Sequence, residues 1–540
     1  MNKIYYNGVI KTLDDAYPEV SAIWVKDGVI VRVGDDETIL ALAEEATEKI
    51  DLEGKFVLPG FVDSHMHLYM GGAFSRRINL DPVKSWAEAV ALIEAALPKA
   101  REENGWVLCG RFNNEYWSDT NKVPDRHDLD AIAADVPIFM QRACGHMSTC
   151  NTKALQLGGL WEERKDTTKQ TMDFGEDGLP NGYLRERTTS VLSKTFMSFE
   201  VEDMKKLILE SCATALEKGL VGVHSHDFNI VAQRGDGDQG MVLQAYKELV
   251  EEGKLPIRVY QQCTFRTHEQ IDDFLSWGYK QNDNIGRFRF GPVKFVADGS
   301  LGSHSAAMRK PYKNDPEMTG ILNLSDELLL GLAEKAAAAG YDMVAHCIGD
   351  RSLEQVMNVF EYTTRKYPRA NTRNGIIHCQ VMDSKQQDQF KEMNMIAYVQ
   401  PIFVKSDGLV VDDCVGEELG RQSYNWRRYI DMGVHQCGGS DFPVEPMAPL
   451  PNLYYAVTRM TQKGYPWYPE NGVTLDEAVR MFTVECAYAS HEEATRGTLG
   501  VGKYCDMVVL DRNIYERPVE ELLETQVLMT IVDGEIAYQK

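Results

Sequence analysis

Cysteine is scarce and never closely paired: there are eleven in 540 residues, and no two stand at CxxC spacing. That excludes a zinc ribbon or a disulfide framework and suits reduced thiols. Long apolar runs are missing as well, since none approaches the roughly 18 residues of a membrane span. The opening Met-Asn-Lys-Ile-Tyr-Tyr-Asn-Gly lacks the apolar stretch of a secretory signal, so none is expected. Positive charge is in deficit, with 57 Lys and Arg against 81 Asp and Glu and a formal net charge of −24. Such a balance argues against nucleic acid or an anionic membrane as partner. It does not exclude an anionic small molecule, because distant charge is screened and one local arginine can outweigh it. Repeats and low-complexity tracts are absent too. What remains is a cytoplasmic, enzyme-sized chain whose hydrophobic fraction of 44% suffices for a full core.

Both ends read as β-rich. Asp27-Gly28 sits between Ile23-Trp24-Val25 and Val29-Ile30-Val31, a hairpin signal, and Asp533-Gly534 repeats it near the other end. The spacing therefore predicts a composite β-sandwich from residues 1–56 and 497–540. The middle, 57–496, alternates apolar strands with amphipathic helices, which predicts an α/β fold, a (β/α)8 TIM barrel. Eight strands are expected: Val57–Asp63, Leu220–Ser225, Ile257–Gln262, Pro292–Val296, Met343–His346, Gly375–His378, Ile396–Gln400 and His435–Ser440. Helices are expected over Met204–Lys218 and Leu328–Ala339, and Thr474-Leu475-Asp476-Glu477 is a capping box. The interval from about 69 to about 203 is too long for a loop. It is expected to be an insertion after strand one, with its own helix and strands, over the catalytic mouth.

Chemistry gathers at the strand ends. His65 and His67 stand two apart at the end of the first strand, so alternation places both rings on one face, able to meet one cation. Strand four ends in Lys294 and then Asp298-Gly299-Ser300, strand five in His346, strand six in His378 and strand eight in Asp441. In a TIM barrel the C-terminal strand ends converge, so these six side chains are expected to surround one or two divalent cations. A lysine within an apolar strand is costly to bury as ammonium and needs neutralising. Carbamylation by carbon dioxide would do that and make it an anionic oxygen ligand.

The same segments resemble the amidohydrolase superfamily, and within it the family-3 amidohydrolases that include N-substituted formamide deformylase-like proteins. The resemblance rests on Leu58 to His67, Lys294 to Ser303, Ala345 to Asp350, Ile377 to Gln380, Gln400-Pro401, Gly439 to Val444 and Gly497 to Asp506, and it spans essentially the whole chain. It implies a TIM barrel with a composite sandwich, a divalent metal (zinc first) and hydrolysis of a non-peptide carbon–nitrogen bond. Residue by residue it makes His65, His67, Lys294, His346, His378 and Asp441 the ligands, with Lys294 bridging. One departure is Ser225-His226, near where this branch often has Thr. The resemblance also points to His146 near the substrate.

The expected reaction is hydrolysis of an amide, N-formyl or N-acyl compound, with Asp441 as general base and then acid. Glu186, Trp117 and Asp298 are further expected substrate contacts. A deaminase of a cyclic amidine-like substrate is the nearest alternative, and a non-catalytic scaffold of the same fold is the more distant one. The expected partners are a small-molecule substrate and, by resemblance and general prevalence, a second copy in a homodimer. Nucleic acid and membrane are not expected.

Overall fold

The computed structural model describes residues 1–142, 147–162, 172–193, 195–197, 199–228 and 238–540. The chain forms two compact units: Met1–Leu68 with Ile208–Asn229 and Val242–Lys540, and Tyr69–Leu207 with Ile230–Met241.

The first unit is built around eight parallel strands: β1 (Phe61–Met66), β2 (Leu220–Phe228), β3 (Arg258–Thr264), β4 (Phe288–Val296), β5 (Met343–Cys347), β6 (Gly375–His378), β7 (Ile396–Val399) and β8 (Gln436–Gly438). They pair in sequential order. The β8–β1 seam is drawn together by two backbone bonds of 2.8 Å, Asp441 N to His65 O and His67 N to Phe442 O. The expected TIM barrel is thus present, nearly closed. Buried residues such as Val293, Phe295, Val344, Ala345, Ile376, Ile377, Ala397 and Val399 make its strands continuously apolar, as parallel strands covered on both faces must be.

The first expected strand is in fact two. Phe56–Pro59 joins a six-stranded sheet beside Met507–Leu510 and Val9–Lys11, whereas Phe61–Met66 opens the barrel. The break falls at Gly60, where a Cβ would lie 2.3 Å from Val221 Cγ1 and no side chain fits. Apolar periodicity alone does not register a change of sheet between two adjoining strands. A four-stranded sheet of Val29–Gly34, Ala22–Lys26, Asn2–Tyr6 and Glu48–Asp51 shares one core with the six-stranded sheet, including Tyr5, Ile23, Val57, Met507, Val509 and Ile531. Asp27 and Gly28 take φ of 47° and 82°, and Asp533 and Gly534 take 53° and 69°. Positive φ at both central residues is what type I′ turns require.

Helices start where their caps place them. Ser325 accepts from Leu328 N and opens Asp326–Ala338, and Thr474 with Glu477 forms the reciprocal box that opens Leu475–Met481.

The second unit carries a six-stranded sheet in the order Met172–Phe174, Pro180–Arg185, Met147–Cys150, Ile138–Arg142, Val107–Phe112 and Ile78–Asn79. One core packs the helix Trp86–Glu102 through Ala89, Ile93 and Leu97 against Val107, Cys109 and Ile138, and another gathers Phe139, Leu155 and Leu184. No helix among the described residues is long and apolar enough to cross a membrane.

Candidate metal centre

Five imidazoles, one amine and one carboxylate meet at the C-terminal ends of the barrel strands. His65 Nε2 and His67 Nε2 lie 3.3 and 3.2 Å from the same oxygen, Asp441 Oδ1. The His65 ring stands 5.7 Å from that of His378, which is 4.4 Å from that of His346. Lys294 Nζ sits 3.0 Å from His65 Nε2 and 3.1 Å from His226 Nδ1. All six residues expected from the strand ends are therefore brought together, with His226 as a seventh.

Lys294 reaches this cluster through an irregularity in β4. Register pairs Tyr260 with Arg289 and Gln261 with Phe290, then Cys263 with Val293 and Thr264 with Lys294, so three steps along β4 face two along β3. The extra residue is a β-bulge at Gly291-Pro292, a place that tolerates a residue without an N–H. It shifts the alternation by one and lets Arg289 and Lys294, an odd number apart, share the inward face.

Hydrogen bonds set the tautomers. His65 Nδ1 is 2.8 Å from Gln262 Oε1 and His67 Nδ1 is 3.1 Å from the His226 carbonyl. His346 Nδ1 is 3.0 Å from Asp298 Oδ1, and His378 Nδ1 is 2.8 Å from Gln400 Oε1. Each partner is an acceptor, so each Nδ1–H donates and each Nε2 is left with a lone pair facing the cluster. His226 is held instead through Nε2 by Thr264 Oγ1.

Burial sharpens this. It pushes His65 down to about 3, with Lys294 adding to the effect, and holds His226 and His378 well below the usual imidazole range. Burial likewise drops Lys294 to about 7 against the pull of Asp441.

These groups fit a divalent cation. Asp441 Oδ1 is buried with no hydrogen-bond donor among the described residues, and it faces two imidazole lone pairs. An anionic oxygen and two lone pairs at 3.2–3.3 Å repel unless a cation lies between them. The spacing also matches a tetrahedral edge of about 3.3 Å for ligand bonds of about 2.0–2.1 Å. His65, His67 and Asp441 form such a group by proximity alone. His378 and Asp441 adopt φ of 84° and 55°, left-handed values that cost a non-glycine residue about 1–3 kcal/mol and gather at functional sites.

Asp298 is saturated from within: Oδ1 accepts from His346 Nδ1 and Ile348 N, and Oδ2 from Ala307 N, Gly349 N and Ser352 Oγ. Trp117 is 6% exposed in the core of the second unit, beside Trp86 and stacked on Phe112, so its ring is committed to that core. His146 and the side chain of Glu186 lie outside the described residues. Gln262 and Gln400, which orient two of the imidazoles, carried no expected role. Gln262 lies near the end of β3 and Gln400 directly follows β7, two strands that supply no ligand, and a polar residue at the close of an apolar strand was the available signal. Asp63, pushed up to about 7 by burial, accepts from His65 N and from Ser440 N and Oγ, tying β1 to the residues after β8.

A family model described as "Amidohydrolase family" matches residues 48–538. A Bacillus subtilis relative, YtcJ, is 29% identical over 547 residues and covers all of both chains. An N-substituted formamide deformylase of Arthrobacter pascens is 25% identical, over 99% of this chain and 98% of its own. Among solved structures, an uncharacterized metal-dependent hydrolase from Pyrococcus furiosus superposes with a TM-score of 0.78 at 26% identity, over 95% of this chain and 99% of that one.

Proposed function

The chain belongs to the amidohydrolase family, and on that premise we propose that it hydrolyses a non-peptide carbon–nitrogen bond, in an amide, N-formyl or N-acyl compound. The observation that carries this reading is the set of four imidazoles whose Nδ1–H groups all donate to oxygen, around a carboxylate oxygen with no donor. A divalent cation, zinc first, held by His65, His67, His346, His378 and Asp441 would supply Lewis acidity, polarising a carbonyl and bringing the pKa of water toward about 7.

The chain's own groups do the rest. Asp441, as a carboxylate, takes a proton from the attacking water at a carboxylate oxygen and delivers it to the departing nitrogen. Gln262, Gln400 and Asp298 keep the imidazole planes and tautomers fixed while this happens. Carbamylation of the Lys294 amine by carbon dioxide would form an N–C bond as one C=O π bond opens to C–O−, release a proton to solvent, and supply an anionic oxygen ligand for the cation. Asp298 acts by orienting His346 rather than by touching substrate. The protein works as a homodimer, in keeping with the prevalence of two-fold assemblies. A cytoplasmic setting fits its cysteines, which are buried and unpaired among the described residues.

The test is a screen of N-formyl, N-acyl and cyclic-amide compounds with metal-reconstituted protein and identification of products. A carboxylic acid and an amine in equal amounts are expected. Ammonia released from cyclic amidines, with no acid formed, would replace this reading by a deaminase. No stoichiometric metal after gentle purification, and no turnover, would leave a scaffold.

A further inference from the structure

A polar cavity lies at the ends of the barrel strands opposite the metal cluster. Its volume is about 90 Å³, and its walls include Arg258, Arg287, Arg289, Arg496, Glu492 and His224. Register explains why they meet. Gly222 pairs with Arg258, and His224 pairs with Tyr260, which in turn pairs with Arg289. Paired residues of parallel neighbours share a face, so His224, Tyr260 and Arg289 form one row. That row lies two residues, roughly 6–7 Å, before His226 and Gln262 along β2 and β3. The rim is open at Asn284 and Gly286, which are exposed, and at Tyr504, which is 38% exposed.

Charge in this cavity is not balanced from within. Arg258 is held by Asp506 and Asp533, and Arg287 by Asp533 at 2.7 Å. Arg496 is shared between Glu492 at 3.1 Å and Asp506 at 3.3 Å. Arg289 is served by two carbonyls, Asn282 O and Ser490 O, and has Glu492 only at 3.5 Å. Four guanidinium groups thus face three carboxylates, which leaves one positive charge. His224 supplies an independent sign. It is 2% exposed, packed edge-on to Tyr260 at 5.1 Å between ring centroids, and its Nδ1 has no hydrogen-bond partner among the described residues. A buried polar atom lining a cationic cavity meets its partner there, as a bound water or a ligand.

We propose that this cavity binds a small oxyanion, of the carboxylate or phosphate class, held by Arg289, Arg496 and His224. Arginine's planar fork suits both classes, and the cavity has room for several water molecules or one such ion. The overall negative charge does not oppose this, because fields beyond about 8 Å are screened at physiological salt. The site is independent of the reaction proposed above.

The experiment follows thermal unfolding of the full-length, metal-loaded protein titrated with inorganic phosphate and separately with malonate, ionic strength being held with sodium chloride. At least one anion is expected to raise Tm saturably, as a ligand selective for the native state must. A response to phosphate alone assigns the phosphate class, and a response to malonate alone the carboxylate class. His224→Phe keeps the ring against Tyr260 but removes both nitrogens, and is expected to weaken the response at least about tenfold, the worth of a charge-assisted hydrogen bond. Arg289→Gln is the second variant, with the same expectation, and serves if the first does not fold. The response should persist after the metal is chelated. No rise beyond that in chloride, an undiminished rise in both variants, or a rise that disappears with the metal would each overturn the proposal.

Discussion

Asp441 has two duties, cation ligand and proton carrier, and its geometry lets them be separated. Asp441→Asn keeps an oxygen to face His65 and His67 but cannot carry a proton at neutral pH. The expected outcome is a native fold, metal near stoichiometric, and kcat lowered roughly 10²–10⁴-fold, the usual contribution of a positioned acid–base group. Metal analysis beside steady-state kinetics on a verified substrate checks this, and an unchanged kcat would remove Asp441 from the proton path. Asp298 makes the complementary case. Asp298→Ala takes the acceptor from His346 Nδ1 and leaves Ile348 N, Gly349 N and Ala307 N without theirs, while Ser352 Oγ keeps Gly349 O. Affinity for the metal should fall about 10–100-fold, as for other residues that orient a ligand. Competition with a chromophoric chelator measures it, and a shift in KM with metal affinity unchanged would return Asp298 to the substrate. Polar residues at the ends of apolar strands were legible as a cluster, because strand alternation and barrel topology together dictate where they point. The partners of Nδ1 were not, because a glutamine at a strand end carries no mark of which histidine it faces.

At the scale of elements, the bulge in β4 decides where Lys294 points. Gly291 is confined there: a Cβ would lie 2.6 Å from Gln261 O, a backbone atom that cannot turn aside. Gly291→Ala should therefore displace β3 or β4 and cost roughly 1–3 kcal/mol, the range for overpacking a filled core. Metal stoichiometry should drop with it, because the Lys294 amine would leave its place between His65 and His226. Urea unfolding with metal analysis of the same sample tests both, and a full loss of stability with the metal intact would break the link drawn between bulge and site. Most strands and helices were legible from period and caps: Asp27-Gly28 and Asp533-Gly534 turn as their sequences require, and Thr474 to Glu477 caps as written. The bulge was not, since one extra residue inside an apolar run leaves the composition unchanged. Nor was the split at Gly60, where two strands of one apolar segment enter different sheets.

Across the whole first unit, one partly buried ionic network joins the sandwich to the barrel. Asp506 precedes the strand Met507–Leu510, and Asp533 lies in the last hairpin. Between them they hold Arg258 at the start of β3, Arg287 just before β4, and Arg496. Burial acts to raise Asp506, but Arg258 and Arg496 outweigh it and hold the carboxyl below its usual range. A carboxyl whose folded pKa is depressed stabilises the fold above the unfolded value of about 3.9, and that contribution is lost as pH falls through the lower folded value. Unfolding free energy should therefore be steady from neutral pH down to about 5 as far as this group is concerned, and then decline as the solution is acidified further. Asp506→Asn should lose about 3–5 kcal/mol at pH 7, because two buried guanidinium groups are left short of a counter-charge. The same variant should show a shallower decline between about pH 5 and pH 3, since the group that drives it no longer titrates. Urea unfolding across that range separates the two effects. A variant as steep in acid as the wild type would mean that other carboxylates, and not the one joining sandwich to barrel, govern the acid limit of the fold.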